Sequence, residues 1–205
     1  MPKIYISPSN QTANICKYGD TECQHCNLFA DYLCEYLMVN NIEYKRAEIL
    51  ETLESRVKKS NAYKPDIHYC IHTNAGGGAR SVLFGYSTTD SKWKKLADCI
   101  KEERSKIYKS EIRYTKKTSF YEIKNTSAKC MYDEVLFHDN EREAIFFHQN
   151  VKELAKGTAK AFCNYFGISF NDPDAAAPNE LEKIRKRLEA ANDIITKIKI
   201  LAEPV

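Results

Sequence analysis

The stretch that decides the fold is DIHYCIHTNAGGGA, residues 66–79. Alternation along an extended chain places His68, Cys70 and His72 on one face of a strand and apolar residues on the other. The run then breaks into three glycines, so His72 and Asn74 lie at the carboxyl end of this strand. In open α/β sheets, ligands bind at that end of the strands. The competing interpretation is a buried strand whose two histidines are merely hydrogen-bonded.

Candidate strands and helices alternate on both sides of this stretch. The other candidate strands cover residues 3–7, 42–47, 81–86, 120–123 and 130–137, and the candidate helices cover residues 21–39, 48–60, 90–108 and 141–166. Thr21 is expected to cap the first helix at its N-terminus, and Gly167 is expected to close the last helix in a left-handed cap. This order predicts an α/β fold with a mostly parallel sheet that helices cover on both faces.

The composition changes after Phe170. Residues 171–178 are typical of a linker, and in residues 179–205 apolar side chains recur at alternating steps of three and four. We therefore predict a main domain over residues 1–170, a linker, and a C-terminal heptad helix. This helix would either pair with a second copy of the chain in a homodimeric coiled coil or pack back on the domain.

The composition is that of a folded protein and argues against several kinds of partner. The chain has 205 residues, and 43% of them are hydrophobic, which is enough for the core of one ordinary domain. The net charge is only +3, and basic residues form no stripe with interleaved aromatics, so we expect no nucleic-acid partner. The amino terminus resembles neither a signal peptide nor a membrane span. We therefore expect a chain that is made in the cytoplasm and does not span a membrane.

Eight cysteines are scattered through the candidate strands and helices. A chain of this size does not need disulfides to fold, so we expect most of the cysteines to be buried thiols. Cys23 and Cys26 form a C-x-x-C pair, but no second pair follows at the spacing of a zinc finger. A metal or redox sensor built on Cys23, His25 and Cys26 is the least favoured functional hypothesis.

The strand ends also carry acidic residues suited to a metal site. A catalytic zinc ion takes three protein ligands and leaves one position for water, while a nearby carboxylate acts as the base. Glu22 lies in the first turn of the first helix, at the same edge of the sheet as His72. Its alternative role is to complement the helix dipole.

The segment MYDEVLFHDN, residues 131–140, adds a third element to this edge. Glu134 lies within an apolar run, where burial of a carboxylate is costly unless it has a partner or a task. An ion pair with a lysine or arginine is the alternative explanation. His138 follows at the carboxyl end of the strand. The sequence holds no G-x-S-x-G, Walker or G-x-G-x-x-G motif that would indicate a competing site.

Three segments together resemble the type 3 family of zinc-dependent N-acetylmuramoyl-L-alanine amidases. They are Arg56 with Asn61, the DIHYCIHTNA segment, and EIKNTSAKCMYDEVLFHDN over residues 122–140, and the resemblance covers roughly residues 3–167. It implies a twisted sheet of about six strands flanked by helices. It also implies a Zn²⁺ ion held by two histidines and a glutamate, and a second glutamate that activates water to cleave the amide between N-acetylmuramate and L-alanine in peptidoglycan.

By this resemblance, Glu22 is the ligand glutamate, His72 the second ligand histidine and Glu134 the catalytic base. One departure is serious, because Asn10 in the loop Ser-Pro-Ser-Asn-Gln occupies the place of the first ligand histidine. His138 is the preferred replacement for that ligand.

His68 and His25 are the alternative replacements. Four further residues are assigned to substrate binding: Asn10, Gln11, Asn74 and Arg56.

The leading functional hypothesis is therefore a zinc amidase that lyses or remodels the cell wall, as an endolysin or autolysin does. The runner-up is a degenerate amidase fold that binds wall glycan without cleaving it. A wall enzyme made without a signal peptide suggests release from a phage- or prophage-infected cell, or a signal that has been removed.

Overall fold

The computed structural model describes residues 1–87 and 89–176. The chain divides into two compact units, Met1–Phe170 and Asn171–Val205. In the second unit, the described residues form a short 3₁₀ turn at Pro173–Ala176. The predicted heptad helix over residues 179–205, and with it the predicted coiled coil, lies outside the described residues.

The first unit is an α/β fold with a six-stranded sheet. In the described chain the strands are β1 (Lys3–Pro8), β2 (Glu43–Arg46), β3 (Ile67–Asn74), β4 (Ser81–Gly85), β5 (Ile112–Lys116) and β6 (Lys129–Phe137). The helices are α1 (Glu22–Val39), α2 (Leu53–Tyr63), α3 (Ser91–Ser105), α4 (Tyr121–Asn125) and α5 (Glu141–Phe166). The strand order is β2-β1-β3-β6-β4-β5, and every neighbouring pair is parallel except β4 with β6. The predicted mostly parallel sheet of about six strands is confirmed.

The core lies on both faces of β3. Ile67, Tyr69 and Ile71 belong to the large apolar cluster that includes residues of α1, α3 and α5. Cys70 lies in a smaller cluster with Ile123 and Cys130. Because helices or loops cover both faces, β3 has no solvent face, and its polar side chains must find partners inside the protein.

Two predicted helix caps are present in the structure. Thr21 forms the predicted N-cap of α1: its hydroxyl accepts a hydrogen bond from the backbone N–H of Gln24 at 3.2 Å, and the Gln24 side chain accepts one from the N–H of Thr21 at 2.9 Å. This capping box fixes Glu22 in the first helical turn. Gly167 ends α5 with φ of 72°, so the predicted left-handed cap is also confirmed.

The prediction for residues 120–123 is wrong, because this segment forms the short helix α4 rather than a strand. The four residues Phe-Tyr-Glu-Ile are too few to distinguish a strand from one buried helical face. The strand that the sequence did not predict is β5, an edge strand whose charged residues hide the strand pattern. The second helix begins at Leu53 rather than at Glu48, since Thr52 caps it.

The eight cysteines are all free thiols, and seven of them are buried, as expected. Among the described residues, no helix has both the length and the apolar character that a bilayer span requires.

Candidate metal centre and active site

Three parallel strands end side by side at the carboxyl edge of the sheet. β3 pairs with β1 on one side and with β6 on the other, and the β3–β6 register places His72 opposite Glu134. The loop after β1 returns to this edge because Ser9 N–H donates to Ile71 O at 2.8 Å. The same loop leads into α1, which brings Glu22 to the edge. The topology thus gathers the predicted site residues from four separate segments.

Glu22 and His72, which we call the ligand pair, are in direct contact. Glu22 Oε1 lies 2.8 Å from His72 Nδ1, and both side chains are buried. Asn14 Nδ2 donates to the second carboxylate oxygen of Glu22 at 2.7 Å. Burial alone would raise the pKa of Glu22, but the hydrogen bond and charge of His72, together with Asn14, lower it overall. Glu22 is therefore held as a carboxylate, the form that binds metal.

The ring of His72 is held in place, but one of its two nitrogen atoms lacks a hydrogen-bond partner. Its ring stacks on Tyr132 at a centroid distance of 4.3 Å. Its Nε2 atom is buried and has no hydrogen-bond partner within the described part of the chain. Nδ1 of this buried imidazole and the facing Glu22 carboxylate are of the types that fit two of the three protein positions of a catalytic zinc ion.

Glu134 has the environment of a general base. The residue is half-buried beside the ligand pair, and its Oε2 atom is buried and makes no hydrogen bond to any described residue. Burial raises its pKa from 4.5 to about 7; the charge of Glu22 adds to this shift and that of His72 opposes it. A carboxyl group with a pKa near neutrality can both accept and return a proton.

The three histidines considered as replacements for the first ligand histidine contact other residues and not the ligand pair. His138 Nδ1 is 3.0 Å from the Thr73 hydroxyl and 3.0 Å from the Thr73 carbonyl oxygen. His68 contacts Ser60 and Glu122, and His25 contacts Cys16 and Asp20. In the described part of the chain, two groups of metal-binding side chains bring three ligand atoms within 4.8 Å of one another, and neither includes Glu22 or His72. The structure thus does not join any of these histidines to the ligand pair.

Gln11, rather than Asn10, faces the ligand pair. Gln11 Nε2 lies 3.4 Å from Glu22 Oε1 and 3.5 Å from His72 Nδ1. Asn10 turns away and donates to Glu51 O at 2.9 Å. On this loop, the side chain that faces the ligand pair is therefore the amide of Gln11, one residue after Asn10.

Arg56 holds the loop after β1. Its side chain is fully buried and donates to the carbonyl oxygens of Pro8 and Glu51, the latter at 3.0 Å. This buried side chain holds the start of the loop in place and is not exposed for contact with a ligand. Asn74 is at the rim of the edge, where its side-chain oxygen accepts from the N–H of Ala75 at 2.8 Å.

Two contributing residues were not found from the sequence. Asn14, which binds Glu22, lies in a polar loop whose path has no periodic signal. Asp139 accepts hydrogen bonds from the N–H groups of Gly76 and Gly77 at 2.7 and 2.9 Å, and so fixes the glycine segment after β3. The dipeptide His138-Asp139 at the end of a predicted strand indicates the position of Asp139, but its contact with the glycines has no signal in the sequence.

Comparisons with known proteins agree on one family. Residues 11–164 match the sequence model of the family described as N-acetylmuramoyl-L-alanine amidase (Amidase_3). The endolysin of Bacillus phage SPP1 is 27% identical over 143 residues, which are 65% of this chain and 52% of that protein. The chain thus matches about half the length of this curated relative.

Solved structures share the fold at low sequence identity. The catalytic domain of CwlV, an N-acetylmuramoyl-L-alanine amidase from Bacillus (Paenibacillus) polymyxa var. colistinus, is 18% identical with a TM-score of 0.71, covering 82% of this chain and 100% of that one. Cwp6 from Clostridium difficile is 19% identical with a TM-score of 0.73, covering 80% and 29%. The catalytic domain of the CD27L endolysin, which targets the same species, is 17% identical with a TM-score of 0.67, covering 80% and 98%.

Proposed function

The chain belongs to the N-acetylmuramoyl-L-alanine amidase family, and on that premise we propose that it hydrolyses the amide bond between N-acetylmuramate and L-alanine in bacterial peptidoglycan. The substrate is the cell wall, as the likeness to a phage endolysin suggests. The observation that carries the proposal is the buried contact of 2.8 Å between Glu22 and His72, opposite Glu134 on β6.

We propose that Glu22 and His72 hold a zinc ion. The buried carboxylate and imidazole of the ligand pair are suitable donors, and zinc, when bound, would act as a Lewis acid on the scissile carbonyl. His138 is the proposed third ligand, for which its ring would have to turn away from Thr73. Gln11 is the nearest polar side chain to the ligand pair and is the alternative.

Glu134 is the proposed general base. With its pKa near 7, it would take a proton from the attacking water and then return a proton to the departing amine of L-alanine. The neighbouring ring of Tyr132 stacks on His72 and keeps its orientation.

Substrate contacts are proposed for residues around the rim of this edge. Asn74 and Gln11 are placed to bind the lactyl and peptide groups on either side of the scissile bond, and Asn10 lies on the adjacent loop. Arg56 would support this loop from below, since it binds the carbonyl oxygens of Pro8 and Glu51.

The test is digestion of purified peptidoglycan by the full chain and by two variants. Glu134→Gln is expected to release stem peptides at least about 100-fold more slowly, because it removes the proton acceptor. Glu103→Gln is the matched control: Glu103 is a buried glutamate, but it lies on α3 away from the sheet edge, and its variant is expected to keep the wild-type rate.

Full activity of Glu134→Gln would overturn the mechanism. A second function is favoured by the amide of Gln11 beside the ligand pair: if the wild-type chain binds peptidoglycan but releases no stem peptide even with added zinc, the chain is a wall-binding protein with a lost active site.

A further inference from the structure

A second group of metal-binding side chains lies outside the ligand pair, where the loop after β1 meets α1. Its members are Cys16, Asp20 and His25, which we call the Cys16 cluster, and one ligand atom from each lies within 4.8 Å of the other two. Cys16 Sγ is 3.3 Å from His25 Nδ1, and His25 Nε2 is 2.9 Å from Asp20 Oδ1. Cys16 and His25 are both buried.

Two polar atoms of the Cys16 cluster are unsatisfied. His25 Nε2 and Asp20 Oδ1 are buried, and neither has a hydrogen-bond partner in the described chain. The two atoms lie 2.9 Å apart, but they do not form a hydrogen bond with each other. Leaving buried polar atoms unpaired costs free energy, so native proteins rarely do so without a ligand or a task. A cation beside them would accept the free electron pairs of both atoms.

We propose that Cys16, Asp20 and His25 bind a divalent metal ion of the zinc type. Thiolate, imidazole and carboxylate are the three ligand types that zinc uses in proteins, whereas magnesium and calcium prefer oxygen ligands alone. When the ion binds, the thiol proton of Cys16 passes to solvent. His148 on α5 completes the arrangement, because its Nε2 atom lies 3.0 Å from Asp20 Oδ2 and would orient the carboxylate.

The same three residues have the order of a cysteine nucleophile, a base and an orienting acid, but this alternative fails on access and charge. Cys16 is only 2% exposed, so a polymer substrate could not reach it. Burial, with the charges of Asp20 and Glu22, raises the pKa of its thiol to about 12. A reactive cysteine needs an accessible site and a lowered pKa.

The proposed ion would stabilise the segment that positions the catalytic ligand. Cys16 and Asp20 lie in the loop before α1, His25 lies on α1, and the partner of Asp20 lies on α5. The same loop carries Asn14, which donates to Glu22 at 2.7 Å. The ion would thus join three segments around Glu22 without touching the substrate.

A rival thiolate site is available elsewhere. His68, Cys70 and Cys130 also bring ligand atoms within 4.8 Å of one another. However, both ring nitrogens of His68 already have partners, Ser60 at 2.8 Å and Glu122 at 3.1 Å. A metal ion there would have to displace hydrogen bonds that are already formed, so the Cys16 cluster is the better site.

The test uses the full chain, stripped with a chelator and titrated with Co²⁺. Cobalt bound to a thiolate gives a charge-transfer absorption in the near ultraviolet, which cobalt bound by carboxylate and imidazole alone does not. The wild type is expected to show this absorption, and Cys16→Ser to lose it together with one bound cobalt per chain. His72→Ala is expected to keep it, because the ligand pair contains no thiolate.

Matched variants distinguish cobalt binding at the Cys16 cluster from cobalt binding at neighbouring residues. Cys23→Ser removes another buried cysteine on α1 and is expected to keep the absorption; its loss there would instead favour a sensor at Cys23 and Cys26. His148→Gln is expected to weaken cobalt binding about 10–100-fold through its contact with Asp20. Circular dichroism checks that each variant is folded.

Three results would overturn the proposal. They are no thiolate absorption in the wild type at saturating Co²⁺, an absorption that persists in Cys16→Ser, and an absorption that Cys130→Ser removes instead. If Cys16→Ser does not fold, Asp20→Asn and His25→Gln decide the question, because unchanged cobalt affinity in both contradicts the assignment.

Discussion

Replacing Glu134 with glutamine is expected to stabilise the metal-free protein at alkaline pH, in addition to slowing the proposed hydrolysis. Glu134 lies half-buried on β6, and this burial raises its pKa from 4.5 to about 7. Between these two values the folded chain still holds a proton that the unfolded chain has released. The free energy of unfolding therefore falls as the pH rises through this window, and it stays low above it. Glutamine has no proton to lose, so the variant avoids this decline.

The size of the effect follows from the shift. A change from 4.5 to about 7, at about 1.4 kcal/mol per pKa unit, corresponds to about 3 kcal/mol at pH values above 7. Near pH 4 the wild-type carboxyl is protonated in both states, so the difference between wild type and variant approaches zero. The measurement is urea unfolding followed by circular dichroism, in the presence of a chelator, at a series of pH values.

Glu103→Gln provides a control with the opposite sign. Burial would raise the pKa of Glu103, but its contacts with Lys106 and Lys160 lower it overall, so its charged form stabilises the fold at neutral pH. This stability is lost as the pH falls, and the glutamine variant is expected to be less stable than wild type at pH 8. The reasoning is refuted if Glu134→Gln is no more stable than wild type at pH 8, or if its advantage is the same at pH 4.

Three further changes test other parts of the structure. Arg104→Met leaves the buried Asp133 carboxylate without its ion-pair partner and is expected to cost about 3–5 kcal/mol of unfolding free energy in urea. Gly85→Ala places a Cβ atom against the Trp93 indole and is expected to lower the unfolding free energy by about 1–3 kcal/mol. Gln11→His puts an imidazole beside the ligand pair, and zinc is expected to bind this variant more tightly than wild type in a competitive chelator titration.

Each of these has a contrasting control. Arg113 pairs with Glu111 on the surface, where water screens the charges, so Arg113→Met is expected to change the free energy of unfolding far less than Arg104→Met does. If Arg113→Met lowers the free energy of unfolding as much as Arg104→Met does, burial of the ion pair is not the cause of the Arg104→Met effect. Equal stability of Gly85→Ala and wild type would mean that the indole moves freely. Unchanged zinc affinity of Gln11→His would mean that this side chain does not face the metal position.

The fold and half of the site could be predicted from local patterns. Alternation in β3 and the cap at Thr21 placed His72 and Glu22 at one edge, and each rests on a period or a capping rule that the sequence carries by itself. The order of the strands could not be predicted in this way, because no local sequence pattern records which strands become neighbours. The antiparallel pairing of β4 with β6 is one example.

The third metal position could not be predicted because it depends on two irregular features. The β3–β6 register shifts by one residue between His72 and Asn74, so counting along β6 no longer tells which way His138 points. In the loop after β1, the backbone turns so that Gln11 rather than Asn10 faces the ligand pair. A loop has no periodicity from which this choice could be read.

The most direct test of the central claim is to identify the bond that the full chain cuts in purified peptidoglycan, before and after removal of metal. A zinc-dependent amidase is expected to release free stem peptides that begin with L-alanine and to leave glycan strands with unsubstituted lactyl groups. It is expected to release no products after chelation and to recover when zinc is returned. Cleavage at a glycosidic or peptide bond, or the same products at full rate without metal, would contradict the central claim.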